Sequence, residues 1–157
     1  MVATSLTGTT VSVTGNVTGG NVLTAGQVSA TGNVTGGNVL INTTTGRVGY
    51  TTGAGSTVTQ ATSKSTGVTI NAPSGQITAN AASLASSTTV SFTMTNSSVA
   101  STDLLVLNHV SGGTAGAYTL NAQAGSGSAS INIRNVTGGS LAEAIVIGYA
   151  VIKGATS

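Results

Sequence analysis

The feature that most constrains the fold is a tandem repeat near the start of the chain. The decapeptide TGNVTGGNVL occurs at residues 14–23 and again at 31–40, which gives a period of 17 residues. Within this array a valine recurs every five or six residues, and Gly-Asn, Gly-Gly-Asn or Gly-Gln closes most of the blocks. Because glycine and asparagine favour tight turns, the repeat predicts short β-segments joined by turns, as in a β-solenoid or an intertwined triple-stranded β-shaft.

A single chain cannot build a core from this repeat. Ordering five or six residues costs roughly 5–12 kcal/mol of backbone entropy, whereas burying one valine stabilises the fold by only about 1.5–3 kcal/mol. Three chains around one axis would stack three valines per block, and oligomerisation commonly compensates for a small core. A flexible Gly/Thr linker is the alternative, but a linker has no reason to keep a regular valine spacing. We therefore predict a trimeric shaft with Val11, Val17, Val22, Val28, Val34 and Val39 in its core.

From about Val48 the sequence changes to short stretches rich in Val, Ile and Thr, separated by turn sequences. In TTVSFTMTN, for example, Val90, Phe92 and Met94 alternate with Thr and Ser, which is typical of a half-buried strand. The short stretch 81–86 is expected to be a loop. Eight short strands at roughly ten-residue spacing predict an all-β fold with a jelly-roll-like antiparallel β-sandwich. The predicted strands are 56–60, 67–71, 76–80, 88–96, 103–110, 116–122, 128–135 and 143–153.

The predicted last strand is apolar on both faces. Such a strand in a thin sandwich needs a second covering surface. A neighbouring subunit would provide it, and a central position beneath a long loop of the same chain is the alternative. In the first case one face would form a subunit interface, made of Ile145, Ile147, Tyr149 and Val151. The predicted organisation is thus a repetitive shaft and attachment segment at 1–47 and a β-sandwich knob at 48–157.

The sequence offers few groups for chemistry. Only 4% of the residues are charged, and the net charge is +2. The single histidine, His109, and Asp103 lie on one predicted strand about 20 Å apart, too far for proton transfer. These few groups predict neither enzymatic activity nor a cofactor. The sequence has no cysteine and no cluster of metal ligands, so we expect no metal site. It also has no clustered cations and no apolar run of about 20 residues, so we expect neither a nucleic-acid nor a membrane partner. Lys64, in ATSKSTG, is expected to be a solvated loop residue.

The region after the repeat resembles a module of structural proteins from tailed bacteriophages. The resemblance covers roughly residues 56–155, and three stretches carry it most specifically: SKSTGVT at 63–69, PSGQIT at 73–78 and SLAEAI at 140–145. Such modules occur in fibres, head decorations and other virion appendages, which are usually homotrimers. The resemblance therefore implies a structural role in the virion, and it transfers no catalytic residue.

A short shaft favours one place on the virion. A tail fibre normally needs a long shaft and a docking domain, whereas a decoration, cement or head-fibre protein needs only a foot on the capsid and a projecting knob. We therefore expect a trimeric protein on the outer capsid surface that binds the major capsid protein. The alternatives are a short tail fibre or receptor-binding tip that engages a host-surface glycan and, more distantly, a secreted carbohydrate-binding or adhesin module. The last would need an export signal and exposed aromatic residues, and we find neither pattern in the sequence.

The shaft hypothesis predicts a defect from one substitution. Val34→Asp would place three carboxylates on the three-fold axis, where like charges repel one another and cannot be hydrated. We expect this variant to lose the trimer in a sedimentation experiment. A wild-type chain that sediments as a monomer at micromolar concentration would contradict the hypothesis. Lys64→Ala, in contrast, is expected to have little effect on the protein.

Overall fold

The computed structural model describes residues 14–16, 24–36 and 38–156. The chain divides into two units, Met1–Thr44 and Thr45–Ser157. The predicted boundary follows residue 47, and the assignment of the first unit to a trimeric shaft stays a prediction.

The described part of the chain is all-β and contains no helix, as the sequence predicted. Each of the eight predicted strands has a counterpart, and the stretch 81–86 lies outside the strands. No helix in the described residues is long and apolar enough to cross a membrane. The strands are β1 (Gly55–Thr59), β2 (Val68–Thr69), β3 (Ser74–Thr78), β4 (Thr89–Thr95), β5 (Leu104–Ser111), β6 (Tyr118–Gly125), β7 (Ser128–Asn135) and β8 (Val146–Ile152).

The strands form two four-stranded sheets. Sheet I has the order β1-β3-β8-β5, and sheet II has the order β2-β4-β7-β6. Both sheets are mixed, because β1 pairs with β3 and β2 pairs with β4 in parallel, while the other pairs are antiparallel. The prediction of a purely antiparallel, jelly-roll-like sandwich is therefore wrong in these two pairs.

The parallel pairs follow from the path of the chain. The first six strands alternate between the two sheets. A chain that reverses direction at each crossing returns to its first sheet in its original direction, so the strands next to each other there become parallel. Local periodicity identifies strands but carries no information about which sheet the next strand joins. For this reason the sequence could not show that two of the strand pairs are parallel.

The two sheets bury one shared aliphatic core. In β4, Phe92 and Met94 are buried while the intervening Ser91, Thr93 and Thr95 are exposed, which confirms the predicted alternation. Phe92 pairs with Ile131 across sheet II. Residues from both sheets belong to the same cluster, including Ile77, Ile147 and Tyr149 from sheet I and Met94, Ile131 and Ile133 from sheet II.

The β6–β7 hairpin is a local element of the fold. Gly125 pairs with Ser128, so only Ser126 and Gly127 form the turn. Gly127 has φ 69°, a left-handed conformation in which glycine has no steric penalty. Its N–H also donates to Val99 O at 3.0 Å, which ties the turn to the loop after β4.

Buried amide side chains hold the loops against the sheets. Asn96 Nδ2 donates to Ala72 O at 2.8 Å, and Asn135 Nδ2 donates to Gly139 O at 2.8 Å. Gln60 Nε2 donates to Thr66 O at 2.7 Å. Every buried side-chain nitrogen and oxygen in the described residues has a hydrogen-bond partner, so these polar groups do not carry the penalty of an unsatisfied donor or acceptor.

The core geometry predicts a contrast between neighbouring residues on β4. Phe92→Ala removes a buried aromatic ring and should lower the free energy of unfolding by about 3–5 kcal/mol. Thr93→Ala changes an exposed side chain in the same strand and should cost less than about 1 kcal/mol. Urea denaturation monitored by circular dichroism measures both, and equal losses would contradict this assignment of faces.

Candidate assembly surface

The outer face of sheet II is polar. Its outward positions in β4, β6 and β7 carry no apolar side chain. Ser91, Asn132 and Asn121 are joined across the three strands by side-chain hydrogen bonds of 2.5 Å. Such a face interacts well with water. The outward side chains are Thr89, Ser91, Thr93, Thr95, Thr119, Asn121, Gln123, Ser128, Ser130, Asn132 and Arg134.

The outer face of sheet I is aliphatic along β5 and β8. Leu104, Val106, Val110 and Ile152 are 63%, 54%, 48% and 51% exposed. Leu104 pairs with Ile152 and Val106 with Ala150, so these side chains are cross-strand neighbours. The exposed Asn108 is a polar residue on the same side of β5, between Val106 and Val110. We call this surface, formed by Leu104, Val106, Val110, Ala150 and Ile152, the aliphatic face.

A glycine allows Val110 to join the aliphatic face. Gly148 lies in β8, and a Cβ atom added there would approach Val110 Cγ2 to 2.7 Å. This distance is too short for a real contact, so a side chain at position 148 would push Val110 away. The absence of a side chain at Gly148 thus lets the valine lie over the strand.

The aliphatic face carries no charge. On the outer side of sheet I, the strand positions beside it are polar but uncharged, and they include Ser74, Gln76 and Thr78 of β3. Beside the face, the charged pair Asp103 and Lys153 lies just before β5 and just after β8. A partner that recognises charge finds no contact within these strands.

The segment before β1 lies against one end of the aliphatic face. Tyr50 Oη donates to Val151 O at 2.5 Å. Val48 and Tyr50 line a shallow depression together with Ala150 and Ile152. Because Val48 is 78% exposed, this segment extends the apolar surface and does not cover it.

The predicted shaft valines are only partly described. Val11, Val17 and Val22 lie outside the described residues. Val28, Val34 and Val39 lie in no strand and are 69%, 76% and 76% exposed in the single chain. Within one copy they therefore pack in no core, and their burial in a trimer stays a prediction.

The backbone of the repeat bends at several of the glycines where the sequence predicted turns. Bends occur at Gly15, Gly26 and Gly32, each of which precedes an Asn or Gln in the repeat. None of the described repeat glycines has a positive φ. The tight turns predicted from the Gly-Asn and Gly-Gln pairs are therefore open bends at these positions, and an open bend does not need the positive φ that glycine adopts freely.

The residues predicted to form a subunit interface in the knob lie in the core of the single chain. Ile145, Ile147, Tyr149 and Val151 are buried between the two sheets of the same chain. They are not available to a second subunit, so this interface prediction is wrong for these residues. The other side of β8, with Ala150 and Ile152, points outward, and it is the side that has no cover.

Lys64 is buried and is not the solvated loop residue that we expected. It is 3% exposed, and its Nζ donates to Asn80 O and, at 2.6 Å, to Glu143 O. The ammonium group therefore joins the loop after β1 to the segments after β3 and before β8. Burial lowers the pKa of Lys64, and the nearby Glu143 carboxylate opposes this shift.

Glu143 fixes the loop between β5 and β6. Its carboxylate accepts hydrogen bonds from Thr114 Oγ1 at 2.6 Å, Thr114 N at 2.9 Å and Tyr118 Oη at 2.9 Å. The Thr114 bonds hold the pKa of Glu143 below its ordinary value. Burial raises the pKa of Tyr118, and the carboxylate reinforces the shift. Glu143 thus acts as a hydrogen-bond acceptor that positions this loop.

Asp103 fixes the end of β8 in a similar way. Its carboxylate accepts from Lys153 Nζ at 2.5 Å, Ala100 N at 2.8 Å and Gly154 N at 3.2 Å. The bond from Lys153, followed by the one from Ala100, lowers the pKa of Asp103. The loop before β5 is thereby joined to the residues that follow β8.

His109 has local partners only. Its Nε2 lies 2.6 Å from Gly112 O and 3.1 Å from Ser111 O, and its ring meets Tyr118 edge-on at 5.9 Å. The described residues contain no group of three or more His, Cys, Asp or Glu side chains that could hold a metal.

The sequence indicates that β5 and β8 are apolar on both sides, but not which side of each strand lies outward. DLLVLNHV shows alternating aliphatic residues on both sides, with Leu104 and Val106 on one and Leu105 and Leu107 on the other. Both sides of such a strand cannot belong to one core. Which side is outward depends on the pairing of β5 with β8, which the sequence does not contain.

The placement of Lys64 reverses the expectation for its substitution. Lys64→Ala removes the donor from two partly buried carbonyl groups and should lower the free energy of unfolding by about 1–3 kcal/mol. Lys64→Met keeps the length of the side chain and should still destabilise, because the donor is lost. Arg134→Ala, at an exposed position, should stay within about 0.5 kcal/mol of wild type. Wild-type stability of both Lys64 variants in urea denaturation would contradict this role.

The two bound carboxylates predict loss of stability in acid. Because their folded-state pKa values lie below the ordinary 3.8 of Asp103 and 4.5 of Glu143, the native state binds fewer protons than the unfolded state in this range. The stabilisation is present above about pH 4.5 and is lost as the pH falls through the lowered values. Glu143→Gln should be less stable at neutral pH and lose less stability on acidification. A wild-type free energy of unfolding that stays constant from pH 7 to about pH 3 would contradict the prediction.

Comparison with known proteins adds no functional information to what these residues indicate. No family model matches the sequence, and no curated protein and no solved structure matches it.

Proposed function

We propose that the protein is a homotrimeric structural component of a bacteriophage virion that decorates the outer surface of the capsid. In this role it binds the major capsid protein and stabilises the shell without a catalytic step. The observation that carries the proposal is the difference between the outer faces of the two sheets. The face of sheet II is polar throughout, whereas the face of sheet I is largely aliphatic along β5 and β8 and has no charged side chain in these two strands.

An uncovered aliphatic face favours a protein that works in an assembly. Leu104, Val106 and Ile152 each expose more than half of their surface, and an exposed apolar patch commonly marks an interaction site. The low charge points the same way, since a net charge of +2 gives little protection against association in solution.

The exposed valines of the first unit also support an assembled state. Val28, Val34 and Val39 have no core in one chain, and three chains would supply one. The virion itself is proposed from the resemblance of residues 56–155 to phage structural modules. Within the virion, the outer capsid surface is the proposed site, and a short tail fibre or receptor-binding tip is the alternative.

Copy number in purified virions tests this function. A capsid decoration protein should be present in hundreds of copies per particle, as measured by quantitative mass spectrometry. A small multiple of three copies would indicate the tail instead, and absence from the particles would overturn the proposal.

The cementing role needs a separate test. Particles that lack the protein should lose their DNA at lower temperature or under weaker osmotic shock than complete particles. Addition of the purified protein should restore their resistance, because binding across neighbouring capsid subunits stabilises the bound shell by mass action. Unchanged resistance without the protein would remove the cementing role and leave decoration alone.

A further inference from the structure

We propose that the aliphatic face of sheet I is the surface through which the sandwich binds a second copy of this chain. The inference rests on the proposed function, because it names the contact by which the knobs of one assembly associate. The sequence predicted an interface on the side of β8 that carries Ile147, Tyr149 and Val151. The interface proposed here uses the opposite side of the same strand, which carries Ala150 and Ile152.

The surface chemistry restricts the class of partner. The outward positions of β5 and β8 carry no charged side chain, so the face offers no ion pair to phosphate, an anionic headgroup or a charged peptide. These strand positions carry no aromatic ring on which a sugar could stack. The partner surface must therefore be apolar and uncharged.

A second copy of the chain satisfies this requirement. Its own aliphatic face presents Leu104, Val106, Val110 and Ile152 without charge, so contact between copies desolvates no ionised group within these strands and creates no like-charge pair there. The polar face of sheet II lacks this complementarity, because its hydroxyl and amide groups would lose hydration against an aliphatic surface.

The size of the face explains why the whole chain is needed. β8 has seven residues and extends for about 23 Å, and the two strands that carry the face, β5 and β8, span about 10 Å. The footprint of roughly 230 Å² is less than a third of the ~800 Å² per partner in a standard interface. Contact through this face alone is therefore weak, and the repeat-bearing segment at 1–47 must contribute to a stable assembly.

Cysteine labelling tests whether the face is covered. The chain has no cysteine, so Val106→Cys introduces a single thiol in the aliphatic face, and Thr93→Cys introduces one in the outer face of sheet II as a matched control. At a concentration where sedimentation shows the oligomer, the thiol at position 106 should react with a maleimide at least about tenfold more slowly than the control thiol at position 93. Dilution to the monomer should restore its reactivity.

Two labelling results would overturn the proposal. A thiol at position 106 that reacts as fast as the control in the oligomer shows that the face is open. A thiol that is protected equally at every concentration, including where the mass is that of a monomer, shows that the same chain covers it.

Charge substitution gives an independent readout. Val106→Glu should lower the sedimentation mass at a concentration where wild type and Thr93→Glu are oligomeric, while circular dichroism shows a folded sandwich for both variants. A Val106→Glu variant that keeps the wild-type dependence of mass on concentration would refute the contact. These measurements use the purified protein and not virions. If the face is covered in the purified oligomer, the proposed contact between copies remains valid even if the protein is absent from capsids. Conversely, an open face in a protein that is abundant on capsids would sink this inference alone.

Discussion

Sheet I depends on the pairing of β8 with both of its neighbours. β3 and β5 do not pair with each other, and each is hydrogen-bonded to β8. The same strand places Ile147, Tyr149 and Val151 in the shared core. One seven-residue strand thus joins the parts of sheet I and contributes three buried side chains to the core that the two sheets share.

The polar contacts of the sandwich support this strand from both ends. Near its start, Lys64 bonds the Glu143 carbonyl and Glu143 in turn holds the β5–β6 loop. Beyond its end, Asp103 accepts from Lys153 and Gly154. A chain with so few charged residues uses most of those in the sandwich to fix the strand on which sheet I depends.

The sequence predicted the strands well because a period of two is a local property. β7 was predicted with the same bounds as observed, 128–135, and the buried side of β4 was correct. The parallel pairs, the burial of Lys64 and the outward side of β5 and β8 were not predicted, because each depends on contacts between distant segments. Lys64 and Glu143, for instance, are 79 residues apart. The valine repeat was recognised from its spacing, but one chain cannot reveal what several copies would bury.

The hydrogen bond from Tyr50 to Val151 has a mechanical consequence. Tyr50 precedes β1, which is an edge strand paired only with β3. A tensile load applied to the chain ahead of Val48 therefore meets the bond to β8 before it reaches β1. The load passes to β8, which is hydrogen-bonded to both β3 and β5. The edge strand β1 is therefore not the first strand to be pulled out of the sheet. A projecting domain anchored through its N-terminal segment would resist drag and collision by this route.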